Sequence, residues 1–287
     1  SKPTLEEQAN LSAAKTEHLY SPIPKAPQLE RYPVSGTQKA LWLISQSPEG
    51  NLAYNMSSHM MLQGEYDLPV LSEAIGQVVA RHEMLRTVFE EDGTGKVYQR
   101  ILTPDQIGFA VITIDYSKES DAMSLAREWM TNASQHLFDL TKGPLLQVAL
   151  LHVSKEATVL YINMHHIIGD EWSLEVMQED VRKTYLQLTQ GAPAQTPLTV
   201  QYKDYVIWQQ LQESEINEAK DYWKGQLAER SWAPVEFAAQ KQRPTQKTYK
   251  GQSLKTYLAK EESQSLIIVF VRSCCEIYTG VLAITNL

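Results

Sequence analysis

Two histidines stand side by side at 165 and 166, and Asp170 follows four residues after the second, within MHHIIGDEWS from Met164 to Ser173. An imidazole titrates near neutrality, so either ring could remove a proton from an amine, hydroxyl or thiol as it attacks an acyl group. A carboxylate at Asp170 could hold the geometry directly or by pairing with an arginine. Arg81 and Arg86 in RHEMLRTVF are the candidates, since a buried carboxylate needs a partner; the plainer reading of both is a solvent-facing helix end. Two other uses compete for the histidines. They could simply satisfy hydrogen bonds under the end of a strand. A metal site could draw on His166 and Asp170, yet no further His or Cys at ligand spacing accompanies them, so no metal is expected.

The segments on either side determine how such a group would be presented. ATVLYINM, immediately before the histidines, is β-branched and apolar and reads as a strand. After Asp170, the positions Leu174, Met177, Val181, Tyr185 and Leu188 fall at helical spacing. The motif therefore lies on a strand-to-helix loop, where rigid elements at both ends can aim a reactive side chain.

Upstream, Asp67 is a candidate N-cap for a helix whose face carries Leu71, Ile75, Val78 and His82. LRTVFEEDGTGKVYQRI predicts a hairpin about Asp92-Gly93. FAVITID predicts a strand, residues 121–136 a helix, and the second half of FDLTKGPLLQVALLHV a further strand that turns at Lys155-Glu156. Residues 1–30, with Pro22, Pro24 and Pro27, suit a linker. Residues 31–192 form the expected main lobe, closed by Gly191, Pro193 and Pro197. A shorter part over 193–287 opens with the helical, aromatic-rich segment 198–227.

The composition is that of an ordinary globular chain: 287 residues, 43% hydrophobic and 21% charged. With 26 basic against 34 acidic residues, a net charge of -8 and no Lys/Arg run, nucleic acid is excluded as an expected partner. SKPTLEEQAN lacks the basic start and apolar middle of a secretory signal. Cys274 and Cys275 are neighbours, poorly arranged for a structural disulfide, which fits a reducing, cytoplasmic setting. Arg272 and Glu276 interrupt the apolar tail, so a buried helix or strand is expected there rather than a membrane span.

HHIIGD resembles the H-H-x-x-x-D-G signature of nonribosomal peptide synthetase condensation domains, which are chloramphenicol acetyltransferase-like acyltransferases. Other segments resemble that family in its own order: YPVSGTQKALWLI, RHEMLRTVF, FDLTKGPLLQ and YKDYVIWQQ. The resemblance implies an α+β fold, with a mixed sheet and flanking helices in each of two lobes set in a V. A tunnel between the lobes would admit the phosphopantetheine arms of acyl carrier proteins, so no cofactor would be bound directly. His166 would be the base, with His165 and Asp170 structural and Asp170 paired to Arg86 rather than Arg81. Glu171, Trp172 and Ser173 would border the tunnel. Glu171 stands where the family has a glycine, a position of close backbone approach.

The match runs from Tyr32 to about Leu266, so the second lobe is expected to be incomplete. In that respect the chain resembles the condensation domain at the end of fungal highly reducing polyketide synthases of the lovastatin nonaketide synthase type. That likeness implies a carrier-bound polyketide thioester whose shaping the domain assists, including a Diels-Alder closure to a decalin that needs only orientation of the reacting groups. Acyl transfer assisted by His166, in a homo-oligomer that completes the site, is one alternative. A non-catalytic scaffold is the other.

Overall fold

The computed structural model describes residues 22–228 together with Ala259 and Ser263. The chain divides into two compact units, Ser1–Pro234 and Val235–Leu287. In the second, the Ser263 N–H donates to the Ala259 carbonyl at 2.9 Å. The apolar tail expected to form a buried helix or strand lies outside the described residues, as do residues 1–21 of the expected linker. Among the described residues no helix is long and apolar enough to cross a membrane.

The centre of the first unit is a mixed sheet in the order β2-β7-β6-β5. In it β2 (Asn55–Gln63), β7 (Ala157–His165) and β6 (Leu146–Ser154) are antiparallel neighbours, and β5 (Ile112–Asp115) runs parallel to β6. Side chains of a strand alternate between faces, and here both faces are covered. Leu146, Val148, Leu150, Leu160, Ile162 and Met164 pack in one core with α3 (Leu68–Arg81) and α6 (Glu171–Gln190). Ala149, Leu151, Val153, Val159 and Tyr161 pack in another with α5 (Ala122–Ser134). Burial on both faces is why the sequence of β6 and β7 reads as continuous apolar runs.

The hairpin expected about Asp92 forms as β3 (Thr87–Glu91) and β4 (Val97–Ile101), with β1 (Tyr32–Pro33) added on the far edge of β4. Its turn is longer than a two-residue Asp-Gly connection. Asp92 Oδ1 accepts from the Thr94 N–H, the Thr94 hydroxyl and the Lys96 N–H. The left-handed residue is Gly95, at φ +82°, not Gly93. Two shorter helices precede β2: α1 (Gly36–Ile44), with a capping box between Ser35 and Gln38, and α2 (Pro48–Ala53). A further short helix, α4 (Pro104–Ile107), follows β4.

The boundary expected between residues 192 and 193 falls inside the first compact unit. The segment that follows it forms α7 (Tyr202–Leu211) and α8 (Glu213–Leu227), and polar side chains around the start of α7 tie it to the elements before 192. Gln201 Nε2 donates to the Arg81 carbonyl, the Tyr202 hydroxyl to Ser35 Oγ, and Lys203 Nζ to Glu83 Oε1. Buried Asp204 accepts from the Ala26 N–H at 2.8 Å, so residues 22–30, although without helix or strand, are attached to α7 rather than a free tether.

Candidate active site

The alternation of β7 settles what each of the adjacent histidines meets. His165 falls on the face of Tyr161 and Asn163 and is fully buried. Its Nδ1 accepts from the Ile167 N–H at 3.2 Å, which leaves the ring proton on Nε2, 3.1 Å from Ser45 Oγ. Phe138 packs edge-on against the ring. Burial, with a smaller contribution from neighbouring His166, holds this imidazole down to about 4, so at neutral pH it is an uncharged structural group.

His166 falls on the opposite side. Its N–H extends the pairing with β2 by donating to the Tyr54 carbonyl at 2.8 Å. Its Nδ1 lies 2.8 Å from the Gly169 carbonyl; a carbonyl only accepts, so Nδ1 carries the proton and Nε2 a lone pair. Nε2 has no hydrogen-bond partner among the described residues. The ring lines a cavity of about 410 Å³, walled by Gln38 and Leu41 of α1, Met84 and Leu85 of the 3₁₀ turn after α3, Met177 of α6 and Tyr202 of α7. An imidazole held by one nitrogen, with the other available at a mostly apolar cavity, has the arrangement general-base catalysis needs.

The loop that makes this geometry is short and tightly packed. A Cβ at Gly169 would lie 3.0 Å from Met164 Sδ and 3.1 Å from Ser173 Cβ, so a larger residue before the aspartate would make those side chains shift by a few tenths of an ångström. Asp170 caps α6: its Oδ1 accepts from the Ser173 N–H at 2.8 Å and the Ser173 hydroxyl at 2.7 Å, while Ser173 Oγ accepts from the Asp170 N–H. The Ser173 hydroxyl and N–H hold the Asp170 carboxyl below its usual range.

Two expectations from the sequence need correction. Asp170 is not paired with Arg86, nor with any arginine among the described residues. Arg86 donates to the carbonyls of Ala80 and Leu102 and approaches Glu83, locking the end of α3 to the end of β4; burial lowers its pKa. Among the described residues the aspartate that an arginine does meet is Asp180, 3.1 Å from Arg81 Nε and 2.8 Å from His82 Nε2. Asp180 lies ten residues beyond Asp170 on α6, about 15 Å along the axis at 1.5 Å per residue, where the end of α3 packs. The second correction is Glu171. Trp172 and Ser173 line the cavity, with Trp172 72% exposed, but Glu171 does not. Positions 172, 173, 176 and 177 share a helix face that excludes 171, and the Glu171 carboxylate stands exposed in the first turn of α6, where it favours the positive end of the helix dipole.

Several site residues were not singled out from the sequence. Ser45 supports His165 from 120 positions away, and no local pattern announces such a contact. His82, read as one more position on the face of α3, turns instead to Asp180. Tyr202, half-buried and with its pKa raised by that partial burial, closes the cavity while donating to Ser35; only the YKDYVIWQQ segment pointed towards it.

Comparison with known proteins shows the family. Residues 28–287 match the condensation domain family, and the chain belongs to that family. It is 30% identical over 266 residues to a plipastatin synthase polypeptide of Bacillus subtilis, covering 92% of this chain and 10% of that protein. With a probable non-canonical nonribosomal peptide synthetase of Salinispora arenicola the identity is 33% over 249 residues, covering 84% of this chain and 3% of the relative. A solved variant of the starter condensation domain of rhizomide synthetase, in complex with C8-CoA, superposes with a TM-score of 0.69 at 25% identity, covering 80% of this chain and 53% of that one. The first condensation domain of the CDA synthetase gives a TM-score of 0.61 at 24% identity over 70% of this chain and 51% of that one. The chain thus spans about half the length of these solved domains and a tenth or less of these curated relatives. The fold is of the CoA-acyltransferase-like type, a mixed sheet with flanking helices.

Proposed function

We propose that this chain transfers an acyl group from a carrier-bound thioester to an amine, with His166 as the base. The amine nitrogen attacks the thioester carbonyl as Nε2 of His166 takes its proton. The C–S bond then breaks, and the departing sulfur recovers that proton from the imidazolium, leaving an amide and a free thiol. The observation that carries this reading is the His166 ring itself: Nδ1–H is fixed on the Gly169 carbonyl, and Nε2 is unpartnered at the cavity. Family membership supports it, as does the likeness to a domain solved with an acyl-CoA thioester. The thioester would arrive on the phosphopantetheine arm of a carrier protein, with no cofactor held by the chain.

Replacing His166 by alanine tests the reading, because base assistance contributes roughly 10²–10⁴-fold. A loss of amide formation on that scale, in a variant that unfolds at the wild-type temperature, is the expected result; a rate near wild type would overturn it.

The apolar walls of the cavity, including Leu41, Leu85 and Met177, favour a second reading. In it the acyl group is a polyketide made by a fungal highly reducing polyketide synthase, and the chain shapes it, up to closure of a decalin ring, by holding the reacting segments together. No proton moves in such a closure, so cyclised product that survives His166→Ala would select this reading over transfer. Sedimentation of the purified chain tests the homo-oligomer that the transfer reading admits.

A further inference from the structure

A second cavity, of about 390 Å³, borders a different face of α6. Its walls include Leu71 and Ile75 of α3, Val148 of β6, and Leu160 and Ile162 of β7, all of them buried. On the solvent side it is rimmed by Glu175, Glu179 and Arg182 of α6. Protein interiors pack nearly as densely as organic crystals, and apolar spaces that do persist take up apolar ligands. One side chain lines both this cavity and the one at His166: Met177, only 3% exposed. Methionine is unbranched, with three rotatable bonds, so a change of rotamer needs no backbone movement.

We infer that the second cavity holds the distal hydrocarbon part of the acyl group whose thioester carbonyl is placed at His166, and that Met177, as the shared wall, sets how long a chain is accepted. This rests on the acyl-transfer reading above and adds to it a substrate class: acyl groups with an extended apolar tail. The carbonyl end belongs on the His166 side because that cavity carries the base and Asp170. The tail belongs beyond Met177 because the sheet offers it only apolar contact there. The charged rim then limits chain length, since an alkyl end reaching Glu179 and Arg182 gains nothing from further burial.

The test is calorimetric binding of acetyl-pantetheine and octanoyl-pantetheine to the full chain and to two variants. Met177→Trp fills the shared wall, and Leu62→Trp narrows the second cavity from β2, where Leu62 is only half-buried. The wild type is expected to bind the octanoyl thioester at least about ten-fold more tightly, since each buried methylene adds favourable transfer free energy. In either folded variant that ratio should collapse towards one. Equal affinities in the wild type, or an octanoyl preference that survives in every variant that folds, would overturn the inference while leaving the acyl-transfer reading intact. Binding of neither thioester would remove both.

Discussion

At the end of β7 a shift of one residue separates a buried neutral imidazole from one that lines a cavity, because consecutive side chains on a strand point to opposite faces. The same local physics assigns Asp170 its work: it is a helix cap with Ser173 for a partner, and no arginine is required. The two substitutions at this position should therefore diverge. Asp170→Ala should cost about 1 kcal/mol of stability through loss of the cap, whereas Asn, an equally good capping residue, should change it by only a few tenths. Chemical denaturation of both variants checks this. A large loss for Asp170→Asn would mean that the charge itself is structural, as an ion pair would have required.

Between elements, the decisive contact is Asp180, which joins the end of α3 to the middle of α6 through Arg81 and His82. Both partners of the Arg81–Asp180 pair are largely withdrawn from solvent, so removing one leaves the other without compensation. Asp180→Ala is expected to destabilise the chain on the order of 3 kcal/mol, read as a lowered denaturation midpoint. Since Met84, Leu85 and Met177 of the cavity wall belong to the same two segments, the proposed acyl transfer should weaken as well.

At the scale of the molecule, stability should fall on mild acidification. The folded-state pKa of His165 is held to about 4, against 6.5 for the unconstrained side chain. Between those values the unfolded chain takes up a proton that the folded chain does not, so stability is fully present above about 6.5 and declines as the pH drops towards 4. The shift corresponds to a loss on the order of 3 kcal/mol across that window. His136, whose pKa is also lowered by its partial withdrawal from water, acts in the same direction. The carboxylates of Asp92, Asp139 and Glu179, held to about 2, lose their stabilising ionisation only at lower pH. Thermal unfolding at pH 7, 6 and 5 should show the decline, and His165→Asn should make it shallower. An unchanged midpoint over that range would contradict the burial assigned to His165.

The strand before the histidines, the helix after them and the loop between were all legible in the sequence, because apolar spacing and capping chemistry are local signals. Membership of the condensation domain family was legible for a similar reason: a short signature records residues that one loop must hold together. Strand β2 was not legible. NMSSHMMLQ has no alternation of apolar residues, since it lies at a sheet edge with most of its side chains exposed, and only its continuous register with β7 makes it a strand. Nor could spacing tell Asp170 from Asp180 as the partner of an arginine, or reveal that Ser45 secures His165 and that Met177 borders two cavities. Those facts depend on which helix faces meet across the sheet, a choice made by the packing of residues far apart in the chain.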